Sequence, residues 1–163
     1  EVWSRYAVGR PASGSCRRAR VKYLLDTDHI SILQRQTGAE YVRLKSRIAQ
    51  HSQIDLAFSI ISFHEQILGC HTYINRARNS NNIVKGYDMF ARVLRVFTIS
   101  PVISFDNTAA SVFDELLSQK VRVATMDLRI ASIALSRDMV LVTRNLSDFV
   151  KVPDLKIEDW TEL

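Results

Sequence analysis

Four acidic side chains stand where this chain changes from one type of local structure to another. Asp26 closes an apolar run of residues 21–25. Three further acids stand beside other predicted strand ends or helix starts: Glu65, Asp127 and Asp148. In an open α/β sheet these ends face a common crevice in which ligands bind. Carboxylates gathered in one place repel each other at neutral pH, so such a cluster usually holds a cation. The four acids therefore predict a metal-dependent hydrolase.

Each acid also has an ordinary structural explanation. Asp26 is suited to an Asx-turn at the end of its strand, and Asp28 is suited to capping the helix that follows. Glu65 stands three residues after Ser62, which is the spacing of a capping box. Asp127 fits the first turn of a helix, where the helix dipole favours a carboxylate. Capping alone would not require acids at all of these places, so their joint placement favours a site.

Apolar periodicity predicts β-strands that alternate with helices. The predicted strands cover residues 22–25, 54–61, 102–105, 139–142 and 155–157. The predicted helices cover residues 28–37, 41–48, 62–74, 83–97, 107–119 and 127–137. Gly38 is expected to end the first helix, residues 79–82 to form a loop, and Asp148 to lie in a loop. This order predicts an α/β fold, a three-layer α/β/α sandwich with a mainly parallel sheet, in one domain of residues 22–163.

The net charge of +5 comes from the first 22 residues, because the rest of the chain carries as many acidic as basic side chains. Residues 1–21 show no helical or strand period. They are interpreted either as a flexible basic arm that touches phosphates or as an extension before a natural start near Val21 or Lys22. The excess of basic residues is therefore only weak support for nucleic-acid binding.

Two further features of the composition concern the compartment. Cys16 and Cys70 are far apart in sequence and show no metal-ligand spacing, which favours a reducing cytoplasm over a disulfide scaffold. The longest apolar run, residues 139–142, is far too short to cross a bilayer. We therefore expect a cytoplasmic protein with no membrane partner.

Five segments, taken in order, together resemble a PIN domain, and the last is similar to the ending of VapC-type bacterial toxins. They are residues 24–28, 62–69, 126–131, 141–149 and 152–160. The resemblance covers residues 22–162 and implies a magnesium- or manganese-dependent endoribonuclease. His64 departs from the pattern, since the family often has a small or apolar residue just before the second acid.

The resemblance also implies a role for each site residue. Asp26, Glu65 and Asp127 match the family's acidic triad, and Asp148 matches its more variable fourth acid. Asp26 and Asp127 are expected to be the principal metal ligands. Glu65 is expected to ligate the ion or orient a water, and Asp148 to support a second ion.

Four more residues are expected to assist these acids. Thr143 and Asn145 match polar positions that support the family's site. Arg144 and Arg129 are candidates for holding the scissile phosphate, with surface salt bridges as the alternative. The family further implies an RNA substrate, a homodimer, and a small antitoxin whose helix lies in an apolar groove. Here residues 29–50 and 63–78 would form that groove.

Two other functions remain open from the sequence. The first is a non-catalytic PIN-like module that binds RNA or a protein. The second is a haloacid-dehalogenase-like phosphatase, because residues 26–28 match its D-x-D pattern. That family normally follows the second Asp with Gly and Thr, where this chain has His29 and Ile30, and no lysine lies between Lys85 and Lys120.

Overall fold

The structure is a computed structural model that describes residues 22–98 and 100–162. The predicted α/β sandwich is confirmed, and all four strand pairings in its five-stranded sheet are parallel. The basic segment of residues 1–21 lies outside the described residues. No helix within the described ranges is both long enough and apolar enough to span a bilayer.

Short strands alternate with longer helices along the chain. The strands are β1 (Tyr23–Leu25), β2 (Leu56–Ser59), β3 (Val102–Ile103), β4 (Val140–Val142) and β5 (Lys156–Glu158). The helices are α1 (Thr27–Arg35), α2 (Gly38–Ile48), α3 (Ile60–Asn75), α4 (Ser80–Phe97), α5 (Asn107–Ser118), α6 (Thr125–Ser136) and α7 (Leu146–Phe149).

The strand order is β3-β2-β1-β4-β5, so the first strand lies at the centre of the sheet. Leu25 pairs with Phe58 of β2 and with Val142 of β4. The carboxyl ends of the three central strands therefore lie nearly level with one another. The residues that follow β1 and β4, Asp26 and Thr143, consequently lie at the same edge of the sheet.

Neighbouring residues of each central strand face opposite sides of the sheet and build two separate cores. On one side, Leu24 and Leu141 pack in a cluster with residues of α5 and α6. On the other side, Leu25 and Val142 pack in a cluster with residues of α1 to α4 and with Trp160. Burial on both faces explains why these strands are apolar throughout.

The second strand is shorter than predicted, and the capping box is wrong. Helix α3 already begins at Ile60, because the Ser59 side chain accepts a hydrogen bond from the Ser62 backbone N–H at 2.8 Å. Glu65 consequently lies in the second turn of α3 and not at an N3 position. Its carboxylate is then free to accept from the Thr27 hydroxyl.

Three further boundaries differ from the prediction. Gln36, with φ 55°, ends α1, whereas Gly38, with φ 88°, begins α2. Residues 80–82 form the first turn of α4 because the Asn79 side chain caps it. Asp148 lies in the short helix α7 and not in a loop. Differences of one or two residues at helix ends are common, and here the Asn79 cap explains the start of α4.

Candidate active site

Asp26 is the most buried acid at the shared sheet edge. Its Oδ1 accepts from the Thr27 backbone N–H at 2.7 Å, and its Oδ2 accepts from the Thr143 hydroxyl at 2.8 Å. Burial raises the pKa of Asp26 to about 7, and the nearby charge of Asp28 adds to this, despite those two hydrogen bonds. Asp26 therefore lies in a position that lacks positive charge.

Asp127 lies in the first turn of α6, as predicted, and approaches Asp26 from a neighbouring element. Its Oδ2 accepts from the Asn145 side-chain amide at 3.2 Å. Burial raises the pKa of Asp127, and the charges of Glu65 and Asp148 raise it further. Asp127 therefore lies within electrostatic reach of the other three predicted acids, Asp26, Glu65 and Asp148.

Asp148 occupies the solvent-facing side of this group. The Lys151 ammonium lies 2.5 Å from its Oδ1, and hydrogen bonds from Lys151 and Asn145 lower its pKa. Asp148 is thus already paired with a cation, unlike the two more buried acids. This placement suits a supporting role better than that of a principal ligand.

Asp28 is a fifth acid at this edge, which the sequence reasoning left out of the site. Its Oδ1 accepts from the backbone N–H and from Nδ1 of His29, at 2.5 and 2.7 Å, and its Oδ2 accepts from the Arg144 N–H at 2.7 Å. Burial opposes the charge of Asp28, but these hydrogen bonds outweigh burial and lower its pKa. The D-x-D spacing with Asp26 was the available signal, but it was interpreted as a phosphatase pattern, and Asp28 itself was interpreted as a helix cap.

The segment of residues 143–145 positions the acids. Thr143 is fully buried, and its hydroxyl donates to Asp26 while accepting from the Asn145 backbone N–H at 3.1 Å. The Asn145 amide then reaches Asp127. The structure therefore brings both predicted support residues to the two acids that were expected to be the principal ligands.

The two predicted phosphate-binding arginines lie in different surroundings. Arg144 contacts Glu40 through its guanidinium at 3.0 Å and lines the cleft beside the acids. The guanidinium of Arg129 lies over the Phe113 ring, 5.8 Å from its centroid. Arg144 is thus placed beside the acids, while Arg129 is directed toward α5, and a phosphate contact by either side chain stays a prediction.

The donor set can be tested for its fit to a metal ion. Among residues 22–98 and 100–162, no three His, Cys, Asp or Glu side chains are grouped closely enough to ligate one ion as they stand. Magnesium, however, keeps several waters and needs only one or two direct carboxylates. The acids offer oxygen ligands only, and burial, followed by repulsion from neighbouring acids, raises the pKa values of Asp26 and Asp127. The site therefore fits a hard divalent cation bound partly through water.

A cavity of about 530 Å³ adjoins the acids and extends between α1, α3 and α4. One end is lined by Asp28, Glu65 and Arg144, and further along lie Arg35 and Arg92. The cleft thus runs from a negative end to a more positive one. A chain of phosphates could follow this gradient with one phosphate at the acids.

The parallel sheet, with acids next to the carboxyl ends of its central strands, has the arrangement of a PIN-like domain. No family model matches the chain. It is 28% identical over 144 residues to the tRNA(fMet)-specific endonuclease VapC of Salmonella typhimurium, covering 86% of this chain and 98% of the relative. It is 26% identical over 145 residues to ribonuclease VapC1 of Haemophilus influenzae, with the same coverage.

The fold matches a solved structure of the same kind. The crystal structure of DNA-bound VapBC from Salmonella typhimurium superposes with a TM-score of 0.66 at 26% identity, covering 86% of this chain and 98% of that one. In sequence and in fold, the chain is therefore similar to VapC-type PIN-domain proteins.

Proposed function

We propose that this chain is a metal-dependent endoribonuclease that hydrolyses RNA phosphodiester bonds and acts as the toxin of a toxin–antitoxin pair. The observation that carries this proposal is the buried Asp26, whose pKa burial raises to about 7 although two groups donate to it. A carboxylate in this state lacks a positive partner, and a divalent cation would supply one. The two relatives named as nucleases support RNA as the substrate.

Asp26 and Asp127 would hold the Mg²⁺ or Mn²⁺ ion. Glu65 would either ligate the ion or orient the attacking water, and Asp148 would support a second ion. The chemistry supplied on metal binding is a water of lowered pKa and stabilisation of charge on the departing oxygen. The protein's own contribution is to hold these carboxylates in place before the substrate arrives.

The positioning groups act before any ion binds. The Thr143 hydroxyl orients Asp26, and the Asn145 amide orients Asp127. The Thr27 hydroxyl donates to Glu65, which joins the starts of α1 and α3. Because each of these donors sits on a short segment next to a strand or helix, the carboxylates need little rearrangement to meet a ligand.

The RNA strand would enter the cavity beside the acids. Arg35 and Arg92 line its far part and can neutralise phosphates on one side of the scissile bond. The charge-balanced body predicts modest affinity for long RNA. Recognition would then depend on a single-stranded loop whose unstacked bases fit into the cleft.

A protein partner is part of this proposal. The solved relative from Salmonella typhimurium is a VapBC complex, and an antitoxin helix would lie here in the groove expected from α1, α2 and α3. Leu68 of α3 is an exposed apolar side chain that such a helix could cover. A homodimer is proposed on the resemblance alone, and light scattering of the purified chain tests it.

The decisive experiment is cleavage of total bacterial RNA with Mg²⁺ or Mn²⁺, compared with EDTA. We expect discrete fragments from the wild type and none from D127N. The matched control is D114N, which changes an exposed acid on α5 and should cleave as the wild type does. Fragments that persist in EDTA or in D127N would refute the proposed mechanism.

The same samples separate the two alternatives. RNA binding without cleavage by folded, antitoxin-free protein with metal present would favour the non-catalytic module. Release of phosphate from a small phosphomonoester, with RNA left intact, would favour the phosphatase. The observation against the phosphatase is that Asp28 accepts from three donors of His29 and Arg144. These hydrogen bonds lower its pKa and so disfavour the protonated form that a general acid needs.

A further inference from the structure

His29 is a fully buried polar side chain next to the acids, and nothing above assigns it a function. Its Nδ1 lies 2.7 Å from Asp28 Oδ1. Its Nε2 lies 3.3 Å from the Trp160 backbone nitrogen, whose N–H points at it. The imidazole thus connects the start of α1 to the segment after β5.

These contacts define one tautomer of the ring. A backbone N–H can only donate, so Nε2 must accept and carries no proton. The proton is then on Nδ1, which donates to Asp28. Asp159 Oδ1 lies 3.5 Å from Nε2, but that oxygen already accepts from the Thr161 N–H and hydroxyl at 2.7 and 2.6 Å. A proton on Nδ1 and a free lone pair on Nε2 therefore match both the Asp28 and the Trp160 contacts.

Asp28 passes this constraint on to the segment that positions the acids. Its second oxygen accepts from the Arg144 N–H at 2.7 Å. Arg144 stands between Thr143, which holds Asp26, and Asn145, which holds Asp127. A shift of Asp28 would consequently move both donors.

We propose that His29 is a positioning residue that couples the segment of residues 159–161 to the metal-binding acids through Asp28 and the Arg144 backbone. The inference rests on the proposed metal-dependent nuclease activity. His29 touches neither substrate nor metal in this scheme. It sets the orientation of Asp28, and Asp28 sets the position of residues 143–145.

Three substitutions of His29 test its hydrogen bonds to Asp28 and to Trp160 separately. In H29N the amide nitrogen lies near the position of Nδ1 and can still donate to Asp28. In H29Q the longer side chain places its oxygen near the position of Nε2, where it can accept from Trp160 but no longer supports Asp28. H29L removes both hydrogen bonds. The matched control is H51N, because His51 also contacts Trp160, by ring stacking at 4.9 Å, but has no link to Asp28.

The first readout is Mn²⁺ affinity by calorimetry, together with kcat and KM for RNA cleavage. We expect H29L and H29Q to lose Mn²⁺ affinity and kcat, with KM unchanged. The upper bound is the roughly 10- to 100-fold loss that follows removal of a group bonded directly to a metal ligand, because His29 acts one step further from the ligands. H29N should recover most of this loss, and H51N should bind Mn²⁺ as the wild type does. If H29L does not fold, the comparison of H29N with H29Q decides.

The second readout is the ring itself, by ¹⁵N NMR of the metal-free protein. We expect a neutral imidazole protonated at Nδ1, which is the minor tautomer of free histidine. Protonation at Nε2, or equal Mn²⁺ affinities of H29N and H29Q, would overturn the inference. A wild type that neither binds Mn²⁺ nor cleaves RNA would instead refute the proposed function, so the two failures are distinguishable.

Discussion

The substitution D26N should stabilise the metal-free protein, and increasingly so as pH rises. Burial raises the pKa of Asp26 from an ordinary 3.8 to about 7 in the folded state. Between these values the folded chain binds a proton at Asp26 and the unfolded chain does not. Stability therefore falls as pH rises through this range and levels off above pH 7. An asparagine cannot ionise, so the variant lacks this loss.

The magnitude follows from the two pKa values. A shift of about three units corresponds to about 4 kcal/mol at a pH well above both values. Between about pH 5 and about pH 8 the wild type should lose on the order of 2–3 kcal/mol through Asp26. The asparagine oxygen keeps only one of the two hydrogen bonds from Thr27 and Thr143, which offsets about 1 kcal/mol of the gain.

Urea unfolding in EDTA at the two pH values measures this difference. Other acids also titrate in this range, but they do so in both proteins, so the contrast between wild type and D26N isolates Asp26. Adding Mg²⁺ should stabilise the wild type and leave D26N nearly unchanged, since the variant lacks a proposed principal ligand. If both proteins lost stability in parallel between the two pH values, Asp26 would not be the uncompensated carboxylate described above.

Two further predictions concern packing and substrate binding. A Cβ at Gly86 would clash with Ile74, so G86A should lower the unfolding free energy by about 1–3 kcal/mol in urea. The control is G69A, because a Cβ at Gly69 would meet no other atom, and it should raise the unfolding free energy by up to about 1 kcal/mol. Equal changes in unfolding free energy in G86A and G69A would refute the close α3–α4 contact. The slope of log K against log salt concentration, measured for single-stranded RNA binding in EDTA, should be smaller by about 0.7 in R92Q. The control R122Q changes an exposed arginine and should keep the wild-type slope. An unchanged slope in R92Q would exclude a phosphate contact by Arg92.

The fold was predictable because its apolar pattern is strong at the sheet centre. β1 and β4 are buried on both faces, and such strands appear as continuous apolar runs. The boundaries were less predictable because single contacts decide them. The hydroxyl of Ser59 caps α3 three residues before Ser62, and either serine is a reasonable cap by residue type alone.

The candidate site was predictable only in part, for a related reason. Acids beside strand ends and helix starts are visible in a sequence, so Asp26 and Asp127 were predicted from their places in the chain. Thr143 and Asn145 were predicted only from the resemblance to PIN domains. The involvement of Asp28 depends on a backbone N–H more than a hundred positions away, at Arg144. No spacing rule reports a contact of this kind, because the parallel register of β1 and β4 creates it.

The opposite pKa shifts of Asp26 and Asp28 indicate that the two acids have different roles in the site. Asp28 is the better hydrogen-bonded acid, and donors from His29 and Arg144 compensate its charge within the protein. Asp26 is more deeply buried, and its two donors leave its charge uncompensated. A carboxylate whose charge is compensated by hydrogen bonds within the protein stabilises the structure. A buried carboxylate whose charge is not compensated attracts a cation. We therefore propose that Asp28 is part of the scaffold and that Asp26 is a metal ligand, although the two residues are separated only by Thr27.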